Sequence, residues 1–338
     1  MRITALAGGI GGARFLRGLL HHLETADPTA EVTVIGNTAD DITLNGLRVC
    51  PDLDTVMYTL GGGIHPEQGW GRDGETFAVA QELAAYGAQP QWFTLGDRDI
   101  ATHILRTRML GQGLTLSQAT EALCERWKPG VRLLPMTDDR VETHVVIDDL
   151  DAERTDDGAV ATRAVHFQEW WVRLHAAVPA RQILAVGIEQ SKPAPGVLDA
   201  IREADVVLLP PSNPVVSIGT ILGVPGVREA LRGTRAPVVG VSPIIGGAPV
   251  RGMADACLTA IGLETSAAAV AGLYADFLRG WLVDDADAGF TAAPGGGLVV
   301  RARPLLMTDV EASAKIAAAA LDLAGELREP RPGAGPAA

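Results

Sequence analysis

The sequence predicts an α/β fold: a mostly parallel sheet with helices on both faces and a smaller α+β lobe inserted into it. Three observations carry this. The chain opens on an apolar strand, RITALA at 2–7, that runs through glycines into a helical repeat of leucines. The same strand–loop–helix rhythm returns from Ile183 onward, in ADVVLL (204–209) and APVVGV (236–241). Between them, over about 131–182, short β-rich runs (VRLLPM, THVVI, RAVHF) change the character of the chain. With 338 residues, 47% of them hydrophobic and 20% charged, a sizeable core is available.

The first unit sets the pattern. Glycines 8, 9, 11 and 12 precede Phe15, Leu16, Leu19, Leu20 and Leu23, the spacing of a buried helix face. Backbone amides at such a helix start can hold phosphate, which makes Gly9, Gly11 and Gly12 candidate ligand contacts. Neither common nucleotide fingerprint is met. A G-x-G-x-x-G reading needs glycine where Arg14 stands, and the second strand (Val32–Ile35) leads into Asn37 rather than an acid. A P-loop would need Gly-Lys-Ser/Thr.

The stretch 36–60, GNTADDITLNGLRVCPDLDTVMYTL, follows the second strand. It holds Asp40, Asp41, Asp52 and Asp54 within fifteen positions. Ionised carboxylates this dense repel one another unless a cation joins them, and magnesium suits one or two carboxylates completed by water and phosphate. Read as extended chain, Asp-x-Asp puts both side chains on one face. The same letters also suit a helix cap and a turn.

A glycine-rich segment, 61–76, offers Trp70 and Arg72 to close over a ligand. A helix is expected from Glu75 to Tyr86 and a strand from Gln91 to Leu95, ending in the loop Gly96–Asp99 before a helix over Ile100–Leu110. Thr115 and Gln118 form a capping box for a helix through Trp127. Of Arg98, Arg106 and Arg108, only Arg98 is expected to face a ligand, since arginine on an exposed helix is commonly plain surface. In the middle lobe, Asp148–Asp157 reads as a solvated acidic loop, and His166, Trp170 and Trp171 suit either a stack on a flat heterocycle or a core.

Past Val206, the loops PPSNPVVSIG and SPIIGGAPVRG supply Ser212, Asn213, Ser217, Gly219, Ser242, Gly246 and Gly247 where ligands bind in an open parallel sheet, beyond the carboxyl ends of its strands. A Thr308-x-x-Glu311 box opens an Ala-rich helix to about Leu327. The partition expected is one domain, 1–327, with a disordered tail at 328–338. The net charge of −13 disfavours non-specific nucleic-acid binding. The three cysteines show no disulfide or zinc spacing. No apolar run is long enough to span a bilayer and no signal peptide is recognisable, so a cytoplasmic protein is expected.

The strings GGIGGARFLRGL, NTADDxxxxGLRVCPDLDTVMYTLGGG, GWGRDGET, LGDRDIATHILR, LLPMTDD, HFQEWW, PSNPVVSIG and SPIIGGAPVRG occur in this order. Together they resemble the CofD family, most closely its actinobacterial FbiA branch. The resemblance implies a Rossmann-like fold, a homodimer and a magnesium-dependent transferase of coenzyme F-420 biosynthesis. Such an enzyme joins a phosphoenolpyruvyl or 2-phospho-L-lactyl group, carried on a guanosine diphosphate ester, to the ribityl hydroxyl of the deazaflavin Fo, and GMP leaves. It also implies roles. Asp40 and Asp54 are expected as catalytic residues, with Asp40, Asp41 and Asp54 around the metal. Substrate contacts are expected from Gly9, Gly11, Gly12, Asn37, Thr38, Asp52, Thr94, Asp97 and Arg98. Ser212, Asn213, Ser217, Gly219, Ser242 and Gly246 are expected on the guanosine diphosphate half. Two other readings are a nucleotide- or nucleotide-sugar-binding regulator of the same superfamily, and a nicotinamide dehydrogenase, which Arg14 and Asn37 disfavour. No motif distinguishes the enolpyruvyl from the lactyl donor.

Overall fold

The computed structural model describes residues 1–149, 160–290 and 297–328. Seven strands form its main sheet: β1 (Arg2–Ala7), β2 (Glu31–Gly36), β3 (Arg132–Pro135), β4 (Val206–Leu209), β5 (Val238–Val241), β6 (Gly280–Val283) and β7 (Val299–Ala302). Their order is β3-β2-β1-β4-β5-β6-β7, and every neighbouring pair is parallel. The chain leaves β1 toward one edge and returns to its other side at β4. That reversal leaves a crevice between the ends of β1 and β4, the place where such sheets bind ligands.

The strands are short and apolar because both faces are covered. In β1, Ile3, Ala5 and Ala7 join one core with Phe15, Leu16, Leu19, Val56 and Ile316. Leu6 joins the opposite core with Ile201, Ile218 and Leu231. The alternation is the period of two that a strand imposes.

The helices that matter for the site are α1 (Gly9–Ala26), α2 (Pro51–Leu60), α3 (Asp97–Gly111), α4 (Leu116–Trp127), α5 (Ile218–Gly223) and α6 (Val310–Leu327). Gly18 lets α1 and α6 touch, since a Cβ there would stand 2.4 Å from the Ser313 backbone. The Thr115–Gln118 capping box is present at α4. At α6 the cap differs from the expected Thr308–Glu311 box. Asp309, one residue nearer the helix, accepts from Ala312 N at 2.7 Å instead.

The middle of the chain forms a three-stranded antiparallel sheet from Glu142–Asp148, Thr162–His166 and Ala180–Val186. The expected lobe at about 131–182 is therefore shifted, because Arg132–Pro135 finds its partner in β2 and belongs to the main sheet. The Gln91–Leu95 run is not a strand. Its Phe93 and Leu95 pack with Leu44, Val49 and Ile100 and so use their apolar surface without pairing. Trp170 is fully buried, with its indole N–H donated to the Val178 carbonyl, so it is core. Among the described residues no helix is long and apolar enough to cross a membrane. The acidic loop, save for Asp148 and Asp149, and the tail, save for Arg328, lie outside the described residues.

Candidate active site at the switch of the sheet

Two loops meet across the β1–β4 crevice. Gly8 N donates to Ser212 Oγ at 3.1 Å. The approach is so close that only glycine fits: a Cβ on Gly11 would lie 2.3 Å from the Pro211 carbonyl oxygen, and one on Gly12 2.6 Å from Ser212 Oγ. A Cβ on Gly8 would lie 2.5 Å from Asp52 Oδ2 and 2.7 Å from Ser217 Oγ. The Asp52 carboxylate and the Ser217 hydroxyl thus border the same spot at the start of α1. Gly219, in the first turn of α5, is pressed onto the Pro214 carbonyl, which brings that helix start in beside them.

Asn37, at the end of β2, organises this spot. Its Nδ2 donates to Asp52 Oδ2 at 3.0 Å, while its Oδ1 accepts from Ala39 N and Thr220 Oγ1. With the amide so engaged, Asn37 orients Asp52 and the 38–41 turn and has little left for a substrate. That turn is pinned from the antiparallel lobe as well. Thr143 N donates to the Ala39 carbonyl, Gln168 Nε2 to the Asp40 carbonyl, and His166 Nε2 contacts the Asp41 carbonyl at 3.1 Å. His166 is therefore part of the wall rather than a free stacking surface.

The turn carries three buried oxygens without a hydrogen bond: Thr38 Oγ1, Asp40 Oδ1 and Asp41 Oδ1. Burial, and next the charge of Asp52, push the Asp40 carboxyl well above the usual range. Burial pushes Asp52 up to about 6, with Asn37 and the Gly9 amide opposing it. Asp41 is also pushed up to about 6 by burial, with Arg48 opposing, and Arg48 Nη2 holds its Oδ2 at 3.0 Å. Two buried carboxylates that destabilise each other's charge, one with an unused oxygen, have the chemistry of a cation site with few protein ligands. Among the described residues no group of three His, Cys, Asp or Glu is arranged to hold a metal ion. A bound divalent cation would depend on water and substrate oxygens for the rest of its shell.

Asp54 is not part of this pair. The segment expected as extended chain is helix α2, with Pro51 at its start and Asp52 and Asp54 in its first turn. Residues two apart on a helix do not share a face. Asp54 accordingly points away from Asp52, and Arg106 of α3 engages both its oxygens, Nη1 reaching Oδ2 at 3.0 Å and Nη2 bonding Oδ1. Behind this pair, His103 Nε2 lies 3.1 Å from Asp99 Oδ2, and Tyr58 donates to Asp99 Oδ1. Sequence reasoning missed Arg106 and His103 by treating α3 as surface. Asp99, His103 and Arg106 share one face of a helix by their spacing, and that face meets a buried acid.

Other expected ligand contacts are structural in the free protein. Asp97 caps the helix Ala78–Ala85, accepting from Ala78 N, Val79 N and Thr76 Oγ1, and these bonds hold its carboxyl below the usual range. Arg98 places Nη1 on the Asp73 carbonyl, and Thr94 is exposed. Arg72 stacks over Trp127 and donates to the Arg98 carbonyl, so it is not free to close over a ligand. Asn213 Oδ1 holds its own loop through Val215 N and Val216 N. Ser242 Oγ is spent on Ile244, and Gly246 and Gly247 form the turn between Ile244–Ile245 and Ala248–Pro249, where both have positive φ.

Comparison with known proteins places the chain among its relatives. Phosphoenolpyruvate transferase of Thermobifida fusca is 66% identical over 334 residues, covering 97% of this chain and 99% of that protein. The protein of the same name from Streptomyces coelicolor is 64% identical, covering 97% and 100%. That of Mycolicibacterium smegmatis is 55% identical, covering 96% and 99%. A solved Bacillus halodurans structure superposes with a TM-score of 0.59 at 18% identity, covering 95% of this chain and 99% of its own, and supports the fold. The family model described as 2-phospho-L-lactate transferase CofD matches residues 3–292, and the chain belongs to that family.

Proposed function

We infer that this chain transfers a phosphoenolpyruvyl group from a guanosine diphosphate ester to the ribityl hydroxyl of the deazaflavin Fo, releasing GMP on the route to coenzyme F-420. The name shared by its relatives at 55–66% identity favours the enolpyruvyl over the lactyl donor. The observation that carries the reading is the buried Asp52 set against the glycine loop beside Ser217, with the buried Asp40 feeling its charge.

The reaction forms a bond from the hydroxyl oxygen to phosphorus and breaks the bond from that phosphorus to the bridging oxygen, which departs with GMP. Most of such catalysis is alignment together with stabilisation of charge on the phosphoryl oxygens. The amides of Gly11 and Gly12 lie in the first turn of α1, where an anion is favoured, while that of Gly9 is engaged by Asp52. The Ser212 and Ser217 hydroxyls and the first turn of α5 face them from the other loop. We assign the diphosphate to the rim where these two loops meet. Asp40 and Asp52 would hold Mg2+, with Thr38 Oγ1 nearby, and Asn37 sets the Asp52 carboxylate in place. When bound, the metal would offset charge on the diphosphate oxygens. Asp41, paired with Arg48, and Asp54, paired with Arg106, hold the two walls of this site in shape. A homodimer is the assembly proposed, and sedimentation velocity checks it.

The test incubates the protein with Fo, Mg2+ and each guanosine diphosphate ester in turn. Product masses and GMP are followed together. Stoichiometric GMP and the dehydro product from the enolpyruvyl ester are expected. Absence of GMP with both esters would overturn the reading.

A further inference from the structure

Two arginines outside this machinery meet at its mouth. Arg14 lies on α1, just past the glycine loop, and Arg251 lies in the segment that follows the Gly246–Gly247 turn. Both reach the segment around Gly69. A Cβ built on Gly69 would stand 3.5 Å from Arg251 Nη1, 3.6 Å from Arg14 Nη2 and 3.0 Å from Ile10 Cγ2. Arg251 Nη2 donates to the Gln68 carbonyl at 2.6 Å, while its Nη1 and Arg14 Nη2 approach the same side of Gly69. Among the described residues neither guanidinium forms an ion pair. In a chain of net charge −13, with acids available to pair them, two like charges held together without a counterion cost stability. Partial burial and the neighbouring Arg14 both act against the charge of Arg251.

We propose that Arg14 and Arg251 form a clamp for an oxyanion of the donor, its carboxylate or a phosphate oxygen. The inference rests on the transferase reading and extends it. Three parts of the chain contribute: Ile10 and Arg14 from the start of α1, Gln68 and Gly69 from the segment after α2, and Arg251 from the segment after β5. An arginine fork is suited to either group, since both offer adjacent oxygens to parallel N–H donors. Arg14 is thereby given a function at the position where a dinucleotide fingerprint would need glycine.

Arg251 is exposed, so Arg251→Gln is not expected to disturb folding. Titration calorimetry with wild type, Arg14→Gln and Arg251→Gln is run with three ligands separately: phosphoenolpyruvate, GDP and Fo. Loss of one charge-assisted hydrogen bond should weaken an oxyanion ligand by about tenfold. Fo, which is uncharged at its ribityl end, should bind as before. Weakening of phosphoenolpyruvate alone places the carboxylate in the clamp, and weakening that extends to GDP places a phosphate there. Either result supports the clamp. Affinities for both anions within twofold of wild type in Arg251→Gln would overturn it, as would a wild type that binds neither. GMP release from wild type, measured in parallel, shows whether the transferase reading stands regardless of the clamp.

Discussion

Arg106 is the residue whose removal most sharply separates two accounts of the acidic stretch. The Arg106 and Asp54 side chains are 1% and 6% exposed, and the two groups meet through paired hydrogen bonds. Arg106 Nη1 also reaches the Arg48 carbonyl at 3.4 Å. Arg106→Gln would leave Asp54 as a buried charge without compensation, a change that costs about 3–5 kcal/mol. Asp54→Asn strands the guanidinium instead and should cost a similar amount. The double variant should recover part of the loss, because neither charge then remains alone. The assay is urea unfolding in chelator, with no substrate present. If Asp54 were a metal ligand, its substitution would leave the metal-free protein at wild-type stability and remove only turnover. That outcome for Asp54→Asn, or a cost below about 1 kcal/mol for Arg106→Gln, would refute the assignment of Asp54 to the wall.

Other consequences follow from the same geometry. Chelator should abolish GMP release and added Mg2+ should restore it, while Asp40→Asn loses turnover with its urea midpoint unchanged or raised, since a buried charge is replaced by a neutral isostere; full activity in that variant would remove the cation from Asp40. Gly11→Ala forces a methyl group onto the Pro211 carbonyl, 2.3 Å away, and should both destabilise the protein by about 1–3 kcal/mol and close the crevice, read as lost stability and lost donor affinity in one variant. Burial pushes the Cys257 and Cys124 thiols up to about 12 and the Cys50 thiol higher than its usual range, so iodoacetamide at pH 8 should label none of them in the native protein and all three after unfolding. Rapid native labelling, followed by mass spectrometry, would contradict that burial.

The sheet was legible in the sequence because parallel strands buried on both faces must read as apolar runs, and RITALA, ADVVLL and APVVGV each close on glycine, proline or serine. Less legible was which runs would pair. VRLLPM and QWFTL are both short, apolar and next to proline, yet Arg132–Pro135 found an open edge on β2, whereas Phe93 and Leu95 were absorbed by packing on Leu44, Val49 and Ile100. Periodicity states that a segment has apolar surface to bury. It does not state which surface receives it.

The acids show the same limit one level down. Their density singled out a region, and there the charge of Asp52 bears on the buried Asp40. Density alone, however, carries no orientation. Had Asp52–Leu53–Asp54 been extended, both carboxylates would face one ion. Pro51 and the acids after it are the signature of a helix start, with proline in the first turn and negative charge favoured by the dipole. A helix turns residues two apart away from each other, so one acid of the pair must face the cleft and the other the protein. The inward one then needs a buried cation of its own. Arg106, one helix away and 52 positions on, meets that requirement through a contact no local pattern records. Asp52 is left facing the glycine loop, where Asn37 and the Gly9 amide offset part of its charge and, among the described residues, no cationic side chain pairs with it.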